Sequence, residues 1–132
     1  MAAQANGVHQ QALAEVRAGR KTSHWMWFVY PQLAGLGRSE LSRYYAIASL
    51  DEARAYLLHP ILGSRLREAA AAALAAPAGL SADEIFGAID AVKLRSAMTL
   101  FALAAPAERV FRAVLERYFG GGDDPATRAL VG

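Results

Sequence analysis

Residues 91–105, AVKLRSAMTLFALAA, decide the fold. The stretch is apolar almost all round, so no single stripe can face a core while the opposite side faces water. A helix of that kind has to be surrounded by other helices. Lys93, Ser96 and Thr99 interrupt it at a spacing of three, which sets them along one side where they can line a cleft together. The competing reading is structural. Lys93 reaches outward from the helix start, and the two hydroxyls bond back to the preceding turn.

Working outward, helix signals recur along the chain. Ala3–Ala18 carries Val8, Ala12, Leu13 and Val16 on one face and stops at Gly19. Ser23 caps a short aromatic helix over His24–Tyr30, closed by Pro31. Gln32–Arg38 reads as a loop, and Ser39 caps a helix ending near Ile47. Ser49 and Glu52 have capping-box spacing and open a helix through Leu58. Pro60 starts the next helix, which lasts to Ala76. Ser81 and Glu84 repeat the box for a short helix ending near Gly87. Asp90 caps the central helix, Pro106 opens another through Phe119, and Asp124–Pro125 begins a last turn. Trp25–Tyr30 has the composition of a buried strand, but with no partner strand in view helix is the reading. The expectation is an all-α single domain over residues 1–132, seven or eight short helices around one apolar helix.

Composition narrows the function classes. The chain has 132 residues, is 55% hydrophobic and contains no cysteine. That is enough apolar material for a core, and it removes disulfides and thiolate chemistry. His9, His24 and His59 lack metal-ligand spacing, so neither a metal nor any other cofactor is expected. The first residues do not have the order of a signal peptide, and the greasy runs at 69–78 and 97–107 are too short to span a bilayer. A cytoplasmic bacterial protein with no membrane association is expected. A net charge of +2, with arginines scattered among acids, argues against nucleic acid.

The densest stretch is 19–39, GRKTSHWMWFVYPQLAGLGRS. Arg20, Lys21 and Ser23 at a helix start suit an anion. Trp25 or Trp27 can stack a flat ring, and His24 titrates near neutral pH as a candidate acid or base. Arginine occurs twelve times and lysine only at positions 21 and 93, so each lysine marks a place for a compact charge instead of a planar fork. The plainer reading puts the tryptophans in the core and Lys21 in water. Asp90 is the one acid kept near this site, with capping as its other role.

Three stretches carry a resemblance: 19–39 as quoted, YYAIASLDEARAYLLHPILGSRL at 44–66, and IFGAIDAVKLRSAMTLFA at 85–102. Across Gln11 to Leu130 the chain resembles an uncharacterised bacterial family of small helical proteins that often carries the label calpastatin. The resemblance implies a multihelical fold and brings no established activity. Its motif positions match Lys21, Ser23, His24, Trp25, Trp27, Pro31, Gln32, Gly35, Gly37, Ser39, Asp90, Lys93, Ser96 and Thr99. Family members usually carry a few more residues before the first helix. The calpastatin label itself does not fit, because calpain inhibitors of that name are disordered and this composition demands a core.

The functional expectation is a small protein binding, and in one version acting on, an anionic nucleotide-like molecule. The ligand would lie among Lys21, Ser23, Trp25, Trp27, Gln32, Lys93, Ser96 and Thr99, with His24 as the proton-transfer group. The alternative is a protein-interaction module with an exposed aromatic groove.

Overall fold

The central helix is enclosed as its composition requires. The computed structural model describes residues 7–23, 25–32 and 46–131, and the side chains of Trp27 and Phe28 lie outside that description. The described residues form eight helices: α1 (Val8–Arg17), α2 (Met26–Val29), α3 (Leu50–Leu58), α4 (Leu62–Ala75), α5 (Ala82–Phe86), α6 (Ala88–Ala104), α7 (Arg109–Phe119) and α8 (Pro125–Val131). No strand occurs among the described residues. The helix expected after Ser39, and the first residues of the one expected from Ala3, lie outside them.

Two helices organise the rest. α6 is packed by α3, α5, α7 and α8, while α4 is packed by α1, α2, α3 and α7. In α6, Leu94, Ala97, Met98, Thr99, Leu100 and Phe101 are completely buried. Phe101 meets Tyr56 of α3 and Phe111 of α7 at ring separations of 5.6 and 5.8 Å, so aromatic contacts join three helices. α4 works by being thin: Ala69, Ala70, Ala72 and Ala73 are buried, and small side chains let neighbouring helices approach closely.

Local signals act where the chain turns. Ser49 Oγ accepts from the Glu52 N–H, and Ser81 with Glu84 forms a complete reciprocal capping box. At the α3–α4 turn a Cβ on Gly63 would collide with the Leu57 carbonyl, so only glycine fits. Two starts differ from expectation. α6 begins at Ala88, so Asp90 lies in its first turn and Gly87 takes the cap position. α7 begins at Arg109, three residues after Pro106, with Glu108 as its cap residue. The glycine's positive φ of +85° lets α6 start early and frees the Asp90 carboxylate for other partners. On α1 the buried face is His9, Ala12, Leu13 and Val16, with His9 in the place expected for Val8.

Arginines close the helix ends. The Arg117 guanidinium donates to the carbonyls of Ala73 (3.0 Å), Leu74 (2.6 Å), Ala76 (2.9 Å) and Pro77 (2.8 Å), spanning the C-terminus of α4. The Tyr118 hydroxyl adds a bond to Ala73. Arg54 reaches Ala104 at the end of α6, and Arg95 holds the carbonyls of Gly122 and Asp123. Helix C-termini leave carbonyls unpaired and carry negative partial charge, and a planar fork answers both needs. Replacing Arg117 by Ala is expected to lower stability by about 2–3 kcal/mol. Arg117→Lys should recover less than half of that, because one ammonium cannot span four carbonyls; urea midpoints of the three proteins measure both effects.

Candidate functional site

The segment after α1 is held by one carboxylate. Glu15, in the last turns of α1, accepts from the N–H groups of Thr22 (2.8 Å) and Ser23 (3.0 Å) and from the Ser23 hydroxyl (2.8 Å). It also accepts from the Trp25 indole (3.0 Å) and the Gln11 amide (3.1 Å). Burial opposes the charged form, but these donors outweigh it and hold the Glu15 carboxyl down to about 2, from an ordinary 4.5. Gly19, at φ +82°, makes the turn that returns the chain along α1. The Lys21 N–H donates to Ile85 at 2.7 Å, tying the same segment to α5.

Lys21 is thereby aimed at the start of α6. Its ammonium lies 2.8 Å from Asp90 Oδ2, donates to the Ser23 carbonyl at 2.6 Å, and sits 5.0 Å from the centre of the Trp25 ring. Lys93 approaches the other oxygen of Asp90 at 3.8 Å. The Lys21 side chain is only 7% exposed, while those of Asp90 and Lys93 are 20% and 21% exposed. Both lysines of the chain therefore converge on one carboxylate, with Lys93 the more accessible. Ile89 and Val92 flank them and are 76% and 62% exposed.

The other expected site residues divide. Ser23 is in the cluster, but its hydroxyl is taken by Glu15 and its carbonyl by Lys21. Trp25 is 1% exposed and packs against Tyr30 and Phe86, so its ring is core and is not open to stack a ligand. Gln32 is half-buried, and its carbonyl accepts from the Ile47 N–H at 2.8 Å. His24, the Trp27 side chain, Gly35, Gly37 and Ser39 lie outside the described residues. Ser96 and Thr99 point elsewhere. Each bonds back to a carbonyl four residues earlier. The Ser96 hydroxyl also donates to Asp124 Oδ2, and Thr99 Oγ1 accepts from the Asp124 N–H. They anchor the start of α8 while Lys93 serves the cluster, one turn nearer the open end of the helix.

Sequence reasoning passed over Glu15, which reads locally as a solvated acid on an amphipathic helix. The available signal was the loop it serves: Thr22 and Ser23 present backbone donors just beyond a helix stop, and such donors need a nearby acceptor. Grooves also occur away from the cluster. One of about 490 Å³ on α6 and α7 is lined by Glu108, Arg109, Arg112 and Glu116 among others. Its charge is balanced, with Arg112 already paired to Asp123 and Glu108 held by Arg67. No helix among the described residues is long and apolar enough to cross a membrane.

Together these features define a class: a multihelical domain closed around one apolar helix, with a Lys–Asp–Lys cluster at that helix's open end. The chain belongs to the family described as "Protein of unknown function (DUF1810)", which matches residues 1–131. Among solved structures it is similar to the conserved hypothetical protein Rv1873 from Mycobacterium tuberculosis. The two are 52% identical over 98% of this chain and 91% of the other, with a TM-score of 0.93. The mycobacterial source of that neighbour agrees with the bacterial origin expected. No curated protein matches.

Glu15→Gln should lower the thermal midpoint at pH 7, because an amide replaces one acceptor oxygen with a donor facing N–H groups. Folding lowers the proton affinity of Glu15, so its contribution is complete above about 4.5 and disappears as pH falls toward 2. The variant's midpoint should therefore converge on the wild-type value across that acid range, as scanning calorimetry at successive pH values would record.

Proposed function

We propose that this protein binds a small anionic, phosphate-bearing molecule at the Lys21–Asp90–Lys93 cluster. One observation carries the reading: the only two lysines in the chain meet at a single carboxylate. The Asp90 carboxylate lies in the first turn of a 17-residue helix and Lys93 one turn further along, near the end whose dipole favours an incoming negative group. Lys21, nearly buried and bonded to Asp90, Ser23 and the Trp25 face, sets the geometry, and the more accessible Lys93 meets the ligand. Exposed Ile89 and Val92 offer apolar contact for a flat or aliphatic part of it. The reading assigns binding, and His24 is the residue of the motif to test for turnover.

A second reading has its own support. Ile89 and Val92 side by side next to Lys93 also suit an acidic, partly apolar segment of a protein partner. Ile89→Ser with Val92→Ser separates the two, since it would abolish partner binding and leave a small anion's affinity nearly intact.

Thermal unfolding against inorganic phosphate, nucleotides and phosphorylated metabolites tests the first reading. A ligand at about a hundred times its Kd adds roughly 2.7 kcal/mol. For a domain of this size that raises the midpoint by several degrees, at about 3–6 °C per kcal/mol. Lys93→Ala should remove at least four-fifths of the rise while keeping the ligand-free midpoint within about 2 °C. A panel without any shift, or shifts that Lys93→Ala leaves unchanged, would overturn the assignment.

A further inference from the structure

His9 lies outside the family motif and outside the lysine cluster, yet it occupies a core position. Its residue is 3% exposed, on the face of α1 formed with Ala12, Leu13 and Val16 and packed on α4. Neither ring nitrogen has a hydrogen-bond partner among the described residues. The nearest carboxylate oxygen, of Glu68 on α4, is 3.6 Å from Nε2, too long for a hydrogen bond. A buried polar ring without partners is costly to keep and is seldom retained in a helix interface.

The charged groups around His9 are Glu68 and Arg65 of α4 and Arg17 of α1. Glu68 would welcome an imidazolium, but its side chain is 51% exposed, so water screens it, and the two arginines repel one. Protonation therefore places a second kind of demand on the interface: the charged ring needs water or a fully engaged carboxylate, and the Glu68 carboxylate beside it is 3.6 Å away and half in water.

We infer that His9 is a proton switch: on mild acidification its imidazolium is expelled from the α1–α4 interface, α1 lifts from α4, and Glu15 lets go of residues 22–25. Glu15 sits on the same helix, so any displacement of α1 moves the carboxylate on which the Lys21 segment hangs. Burial, opposed by Glu68 and reinforced by Arg65 and Arg17, lowers the imidazole below its ordinary 6.5. The docked helix holds the neutral form. Its docking is complete above about 6.5 and weakens as pH falls through that value and through the lowered one. This range is separate from that of Glu15, whose carboxylate stays charged throughout it. The inference does not depend on any ligand at the cluster.

Amide hydrogen exchange of the full chain at about pH 7.5 and about pH 5.5, corrected for intrinsic rates, reads the switch directly. Protection in residues 8–18 and at Thr22 and Ser23 is expected to fall by several-fold and up to about tenfold per pH unit below 6.5, while α6 stays protected. His9→Phe should keep its protection at both pH values. Unchanged or higher acid protection in the wild type would overturn the switch, as would an equal acid response in His9→Phe. Should His9→Phe fail to fold, the wild-type imidazole titration by NMR decides. A value below 6.5 sustains the switch, and one at or above 6.5 means that Glu68 captures the proton and the inference falls.

Discussion

A helix that is apolar on all sides cannot rest at a surface, and the enclosure of α6 is the constraint on which the other elements depend. Four helices close on it, which buries Leu94 and Ser96 to Phe101 and leaves Ile89 and Val92 near its start exposed. Polar groups along α6 then have two fates. Those inside must be satisfied by protein, as Ser96 and Thr99 are through their own helix and Asp124. Those at the open end, Asp90 and Lys93, keep chemistry available to something outside. The position of the candidate site thus follows from where the enclosing helices stop.

The uneven use of basic residues has a physical basis in the same fold. Several short helices crowded together produce many C-terminal carbonyls that cannot reach water or a following residue. Guanidinium forks from Arg54 and Arg117 close two such places, and Arg95 holds two carbonyls of the loop between α7 and α8. An ammonium lacks the planar spread for that task. The two lysines instead appear where a compact charge is needed, on either side of Asp90. The arginine bias is thus largely structural, and the lysines stand out against it.

Much of the architecture was legible from local patterns. The Ser49 cap, the Ser81 box and the Pro31 stop all act over a few residues, so spacing alone reveals them. Asp90 shows where such reading fails. Its side chain suits a cap, but the positive φ of Gly87 lets the helix begin three residues earlier. Trp25 likewise has the look of a stacking platform, whereas its ring completes an aromatic cluster with Tyr30 and Phe86 and only its indole N–H is used, on Glu15.

By itself the sequence determined the helical class and the enclosed helix and singled out Lys21 and Lys93, because periodicity, caps and compositional bias are legible without the fold. Only the tertiary structure decided that these lysines share Asp90, that Ser96 and Thr99 serve α8, that Glu15 holds the motif segment and that His9 is buried in the core. Those contacts depend on how helices rotate and cross when they pack, and a rotation of one residue's step moves a side chain by about 100° around the helix axis. The chain order of residues carries no direct record of that angle.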